Sequence, residues 1–98
     1  MNIAKTENSK VITLALAGRL DTTTAPNLEA EIKALPSDTE KLVLDMTSLE
    51  YISSAGLRVL LAAQKQMGKS GGMAIRGAND TIMEVFTVTG FVDILNIE

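Results

Sequence analysis

Apolar and polar residues alternate with period two near the start of the chain and shift to helical spacing further on. Residues 2–7 read as a first strand, Asn8-Ser9-Lys10 as a turn, and Val11 to Gly18 as a second strand able to pair with the first as a hairpin. Within the second strand Val11, Thr13, Ala15 and Ala17 fall on one face and Ile12, Leu14 and Leu16 on the other, which is the expected core face. Gly18-Arg19-Leu20-Asp21 reads as the exit from the sheet. Thr22-Thr23-Thr24 then offers several helix N-caps, and Pro26 suits a first helical turn. Ala25, Leu28, Ile32 and Leu35 recur at helical spacing, with Glu29, Glu31 and Lys33 on the wet side, until Pro36-Ser37-Asp38 stops the helix.

Lys41-Leu42-Val43-Leu44-Asp45-Met46 is a short apolar run of the kind found in a buried central strand. A second helix follows the Ser53-Ser54 loop, with Leu57, Leu60, Leu61, Gln64 and Met67 as its inner stripe and Gly68, Gly71 and Gly72 as its exit. Met73 to Gly77 reads as a fourth strand. Asn79 or Asp80 caps a third helix carrying Ile82, Val85 and Phe86, Gly90 ends it, and residues 91–97 close with a short turn and an edge strand. A hairpin followed by alternating strands and helices predicts an α/β fold: one mixed sheet with parallel crossovers, spanning 1–98 as one domain.

Composition narrows the chemistry. With 46% apolar residues among 98, a packed core is within reach, and only three aromatic residues (Tyr51, Phe86, Phe91) make it mostly aliphatic. Nine basic against twelve acidic residues leave a formal charge of −3, which argues against nucleic acid as partner, since neutralising phosphates needs a basic face. Cysteine and histidine are absent, so the chain alone assembles no disulfide, zinc site or Ser–His relay. Its start lacks the pattern of a secretion signal, and no apolar run approaches the ~20 residues of a membrane helix, so no membrane partner and a cytoplasmic location are expected.

Three local patterns have bland explanations. Ala63-Gln64-Lys65-Gln66-Met67-Gly68-Lys69-Ser70 matches a relaxed nucleotide-loop pattern, but that loop must follow a strand and open a helix. Here the segment reads as a helix C-terminus, where the dipole has the wrong sign for phosphate, and Gly68 as a helix stop. Asp21 and Asp45 lie near the predicted strand ends on the side of the Ser53-Ser54 loop, where paired carboxylates could serve acid–base or Mg²⁺ chemistry. No histidine, cysteine or suitable lysine accompanies them, and the reading favoured is that Asp21 ties the loop before the first helix and Asp45 ends a strand. Asn79-Asp80-Thr81 fits a glycosylation pattern and is read as a helix cap.

The run from Leu49 to Leu61 carries most of the information. Two hydroxyls, Ser53 and Ser54, stand where a helix opens, next to unpaired backbone N–H groups at the positive end of its dipole. Serine before a helix is a common cap. Three neighbours point further: Ala55 and Gly56 keep the first turn small enough for another protein to approach, Tyr51 and Ile52 place an apolar pair just before it, and Arg58 is expected to point outward beside the serines. A phosphate attached there would change the charge of a docking surface.

These residues resemble the STAS family, in particular the bacterial anti-sigma factor antagonists. Gly18-Arg19-Leu20-Asp21 is similar to the family's Gly–x–Leu–Asp element, and Leu42 to Leu49 to its central strand and following turn. Tyr51-Ile52-Ser53-Ser54-Ala55-Gly56-Leu57 resembles its signature, and Phe86-Thr87-Val88-Thr89-Gly90-Phe91 its apolar–x–x–x–Gly–apolar ending. The resemblance implies a non-catalytic binding module without cofactor or metal. Counting back from Gly56, the family's phosphorylated serine falls on Ser54, with Ser53, where the family often has aspartate, as the alternative acceptor. It further implies a partner-binding surface of Asp21, Thr22, Thr23, Ser53, Ser54, Ala55, Gly56, Leu57 and Arg58. The implied partners are an anti-sigma factor that is itself a serine kinase, and a metal-dependent serine phosphatase. A STAS scaffold serving a transporter or a stress-signalling complex, with no sigma factor, is the alternative; a small α/β enzyme is disfavoured.

Overall fold

The computed structural model describes residues 1–68 and 72–98. Strands β1 (Asn2–Asn8) and β2 (Val11–Leu20) form an antiparallel hairpin in which Asn8 lies opposite Val11. Ser9 takes φ 58° at the first of the two turn residues, the positive value that two-residue hairpin turns favour. After α1 (Ala25–Lys33), β3 (Lys41–Ile52) lies parallel to β2, and α2 (Ser54–Met67) leads to β4 (Met73–Arg76), parallel to β3. Helix α3 (Asp80–Thr89) and a 3-10 turn (Phe91–Asp93) return the chain to β5 (Asn96–Ile97), parallel to β4. The sheet order is β1-β2-β3-β4-β5, and the sheet is mixed with parallel crossovers, as the hairpin and the alternation predicted.

Three successive crossovers advance across the sheet in one direction, and their common right-handedness puts all three helices on one face. The core sits beneath them. Ile12, Leu14 and Leu16 of β2 are buried, whereas Val11, Thr13, Ala15 and Ala17 on the other face are half-exposed. Helix α1 buries Ala25, Leu28 and Ile32, and Leu35 packs half-buried beyond its end. Helix α2 buries Gly56, Leu57, Val59, Leu60, Ala63 and Met67. The inner stripe thus includes Val59 and Ala63, while Leu61 and Gln64 are only half-buried. The buried stripe is wide because α2 packs on the sheet and on α1 together.

Two boundaries differ from the sequence reading, for a shared reason. Strand β2 continues through Gly18 and Arg19 to Leu20, and β3 continues six residues past Met46. Ala15 pairs with Asp45 but Ala17 with Ser48, and Gly18 pairs with Leu49 but Arg19 with Tyr51. Each slip inserts one extra residue into β3, a bulge. On the core face the buried positions accordingly run Leu42, Leu44, Met46, then Leu49 and Ile52, spaced by two and afterwards by three. A strict period-two reading loses the strand where the first bulge begins.

Asp45 therefore does not end a strand. It sits before the first bulge, where its Oδ1 accepts from the Thr47 hydroxyl at 2.6 Å and from the Thr47 N–H at 3.0 Å, while Oδ2 pairs with Arg76 at 3.3 Å. Gly77 (φ 77°) crosses so close to Thr47 that a Cβ there would collide with the Thr47 hydroxyl and backbone. Asn79 caps α3 as expected: its Oδ1 accepts from Ile82 N–H at 2.9 Å and its Nδ2 donates to the Leu49 carbonyl at 3.0 Å. Gly90 ends α3 at φ 81°, left-handed as a C-terminal glycine is expected to be. At the end of α2, Gly68 is right-handed and Gly72 carries the positive φ of 102°, its N–H donating to the Met67 carbonyl at 2.9 Å. Gly71 lies outside the described residues.

Candidate functional site

Parallel strands β2 and β3 end side by side, and each hands the chain to a helix at a tight corner. At the first corner Leu20 is followed by Asp21, whose Oδ1 accepts from the N–H groups of Thr23 at 3.0 Å and Thr24 at 3.1 Å. The Thr24 hydroxyl accepts from Asp21 N–H at 2.9 Å and donates to the Arg19 carbonyl at 2.8 Å. Thr24 is the N-cap residue of α1 but makes no side-chain cap; its hydroxyl braces the preceding turn instead. Hydrogen bonds from Thr24 above all, and from Thr23, hold the Asp21 carboxyl below its ordinary value of 3.8 against the opposing pull of desolvation, with Arg19 Nε 3.9 Å away adding to the lowering. Asp21 ties the turn before α1, as read from sequence.

The second corner is one residue long. Ser53 is extended (φ −100°, ψ 176°) and Ser54 already begins α2, so the expected loop shrinks to a single hinge residue. The two serines divide the work. Ser53 is half-buried, and its Oγ faces the Gly56 N–H at 3.4 Å as the N-cap. Ser54 is exposed, and among the described residues no hydrogen bond engages its hydroxyl. Register places the corners together, since Leu20 pairs with Ile52 and the Leu20 carbonyl accepts the Ser53 N–H.

Of the nine residues expected on the partner surface, Thr22, Thr23, Ser54 and Arg58 are exposed, and Asp21, Ser53 and Ala55 are half-exposed. Gly56 and Leu57 are buried, which corrects their expected place on that surface. A Cβ on Gly56 would stand 2.7 Å from Leu20 Cγ and 2.9 Å from Ile52 Cγ1. The glycine lets α2 start directly on the sheet; it does not open the helix to another protein. Ile52 likewise belongs to the core, and of the expected apolar pair only Tyr51 reaches the surface.

Tyr51 is covered by Arg19, whose Cζ lies 4.2 Å from the ring centroid, a cation–π contact that also sets Arg19 beside Asp21. Sequence reasoning missed this pair, because Arg19 meets Tyr51 only through the second bulge. Thr22, Ala55 and Arg58 do meet, bordering an open groove of about 220 Å³ between α1 and α2 together with Ala25, Pro26 and Glu29. Pro26 and Glu29 were legible as helix residues but not as groove residues.

Neither competing chemistry is assembled among the described residues. Asp45 lies level with Ala15, six residues of β2 before Asp21, so about 20 Å of strand separates the two carboxylates. Ala63 to Met67 form the last turns of α2 and Gly68 its cap, the wrong end of a helix for phosphate, while Lys69 and Ser70 lie outside the described residues. No helix among the described residues is long and apolar enough to cross a membrane.

The chain has relatives in both sequence and fold among known proteins. The family described as "Mlab, STAS domain" matches residues 3–96. BtrV of Bordetella bronchiseptica, assigned to the anti-sigma factor antagonists, is 40% identical over 81 residues, covering 81% of this chain and 70% of its own. The crystal structure of an anti-sigma factor antagonist from Mycobacterium paratuberculosis superposes with a TM-score of 0.88 at 25% identity, over 98% of this chain and 83% of that one. The phosphorylated form of the Bacillus cell fate determinant SpoIIAA shares the fold, with a TM-score of 0.77 at 15% identity over 99% and 91% of the two chains. The chain belongs to the STAS domain family, and its relatives include anti-sigma factor antagonists.

Proposed function

We propose that this chain is an anti-sigma factor antagonist whose unmodified β2–α1 and β3–α2 corners dock on a cognate anti-sigma factor, and that phosphorylation of Ser54 switches docking off. The observation that carries the reading is the division between the serines: Ser53 is spent on capping, whereas Ser54 offers an exposed, unengaged hydroxyl on the first turn of α2. Ser54 follows Ser53, whose N–H is bonded to the Leu20 carbonyl just before Asp21, and it precedes Ala55, which borders the groove with Thr22 and Arg58. The partner is a serine kinase, and a serine phosphatase reverses the modification. SpoIIAA, which shares the fold, is a protein with a phosphorylated form, and this supports the reading by analogy.

Phosphorylation adds about −1.5 to −2 charges and three acceptor oxygens. At a helix N-terminus the dipole favours an anion, so the fold persists. The change falls on docking: the new charge is set near Asp21, on a surface shaped to meet another protein. A penalty of about 3 kcal/mol, within the range of like charges juxtaposed at an interface, lowers affinity more than a hundredfold. Incubation with ATP and the cognate anti-sigma factor kinase, followed by mass spectrometry, is expected to find the phosphate on Ser54. Ser54→Ala is expected to bind the kinase and Ser54→Asp to lose it; equal binding by both overturns the switch, and loss of label in Ser53→Ala alone moves it to Ser53.

The sulfate transporter family protein of Wolinella succinogenes shares the fold, with a TM-score of 0.79 at 19% identity, and this favours a second reading in which the same corner docks in an assembly without a sigma factor. Neighbouring genes separate the two: transporter subunits support the second, a kinase or phosphatase the first.

A further inference from the structure

The chain has three arginines. Arg19 lies over Tyr51 and beside Asp21, and Arg76 is paired with Asp45. Arg58 is exposed, and among the described residues no carboxylate lies within ion-pair distance of it. It stands four residues after Ser54 on α2, and both are exposed while Gly56, Leu57, Val59 and Leu60 turn inward. Side chains four apart on a helix are neighbours, about 5–6 Å between Cβ atoms, and an anion N-terminal to a cation is the favourable order. Arg58 also borders the groove between α1 and α2, opposite Glu29.

We propose that Arg58 receives the phosphate carried by Ser54, and that phosphorylation disables the docking groove by drawing this arginine off it. The proposal rests on the reading of Ser54 as the modified residue. The guanidinium fork matches phosphate oxygens two at a time, and the pair forms along one helix without backbone movement. Before modification the groove presents Arg58 and Glu29, one charge of each sign. Afterwards Arg58 is occupied, and the groove keeps Glu29 beside a new anion. A partner that meets Arg58 with a carboxylate then loses its counter-charge and faces repulsion. Phosphate on Ser53 does not fit this arrangement, because its Oγ is turned to the Gly56 N–H and it is five residues from Arg58.

The test uses the full chain with phosphoserine installed during translation at position 54, so that no kinase is needed. Phosphorus NMR titration reads the second phosphate pKa, ordinarily about 6. With Arg58 present it is expected to lie about 0.2 to 0.4 unit below its value in Arg58→Gln, with Arg58→Lys between them. The Arg58 Nε–H resonance is expected to move on modification, and both effects to shrink in high salt. Identical titrations with and without Arg58, together with an unmoved Nε–H resonance, overturn the proposal. An equal Arg58-dependent shift for phosphoserine at position 53 overturns it too. Kinase labelling of wild type and Arg58→Gln is scored separately: an unlabelled Ser54 sinks the phosphorylation reading and leaves the titration result standing.

Discussion

The Ser53 N–H donates to the Leu20 carbonyl at 2.9 Å, so the first turn of α2 is fastened to the end of β2. Asp21 follows Leu20 directly, and its carboxylate fixes the next turn through Thr23 and Thr24. The two corners are therefore one rigid unit. A charge added at Ser54 acts on whatever approaches that unit.

Ser53 and Ser54 are expected to respond differently to removal of the hydroxyl. Ser53→Ala loses the cap of α2, which costs about 0.5–1 kcal/mol, the low end of the usual range because the contact to Gly56 N–H is long at 3.4 Å. Ser54→Ala removes an exposed hydroxyl and stays within about 0.5 kcal/mol of wild type. Urea denaturation of both variants checks this; equal losses would assign the cap wrongly.

Gly56→Ala gains helix propensity of about 1 kcal/mol, yet drives a methyl into Leu20 and Ile52, both nearly fully buried. Overpacking of this kind costs about 1–3 kcal/mol. The net expectation is a destabilised protein, by about 1 kcal/mol, with a lower midpoint in chemical denaturation. A more stable variant would show that Leu20 yields easily.

Stability is expected to fall in acid through two carboxylates. Asp21 is held below 3.8 chiefly by the Thr24 N–H, and Asp45 chiefly by the Thr47 hydroxyl, then by the Thr47 N–H and Arg76. A carboxyl depressed in the folded state contributes stability above its unfolded pKa and loses it as pH drops through the folded value. The loss therefore begins below about pH 4. Asp21→Asn and Asp45→Asn are each expected to flatten the stability curve in that window, measured by thermal melts from pH 7 to pH 2.

Asn79→Ala removes a cap and a long-range hydrogen bond together, since the one amide serves both Ile82 and the Leu49 carbonyl beside the second bulge of β3. A loss of about 1–2 kcal/mol is expected. Asn79→Asp retains the acceptor for Ile82 but cannot donate to Leu49, and is expected to fall between the two in a urea melt.

Much of this architecture was legible from residue pattern. The Val11–Gly18 alternation named the buried face of β2, and Pro26 with Ala25, Leu28 and Ile32 located α1. What escaped was the far half of β3, because Thr47 and Glu50 lengthen the strand by one residue at each slip and break the period. With that half went the placing of Tyr51 beneath Arg19 and the reduction of a loop to Ser53 alone. Ser54 was found from sequence as a helix-opening hydroxyl. The inward role of Gly56 was not, since a glycine near a helix start reads equally well as open space or as close packing, and only Leu20 and Ile52 decide it.

Because the strands lie in the sheet in the order in which they occur in the chain, every new strand adds beside its immediate predecessor. No strand waits for a distant partner, so loop-closure cost stays low at each addition. On a ribosome the hairpin can form first and serve as a template for β3, β4 and β5 in turn. The Ser54 corner is completed when β3 docks on β2 and α2 covers them, without waiting for β4 or β5.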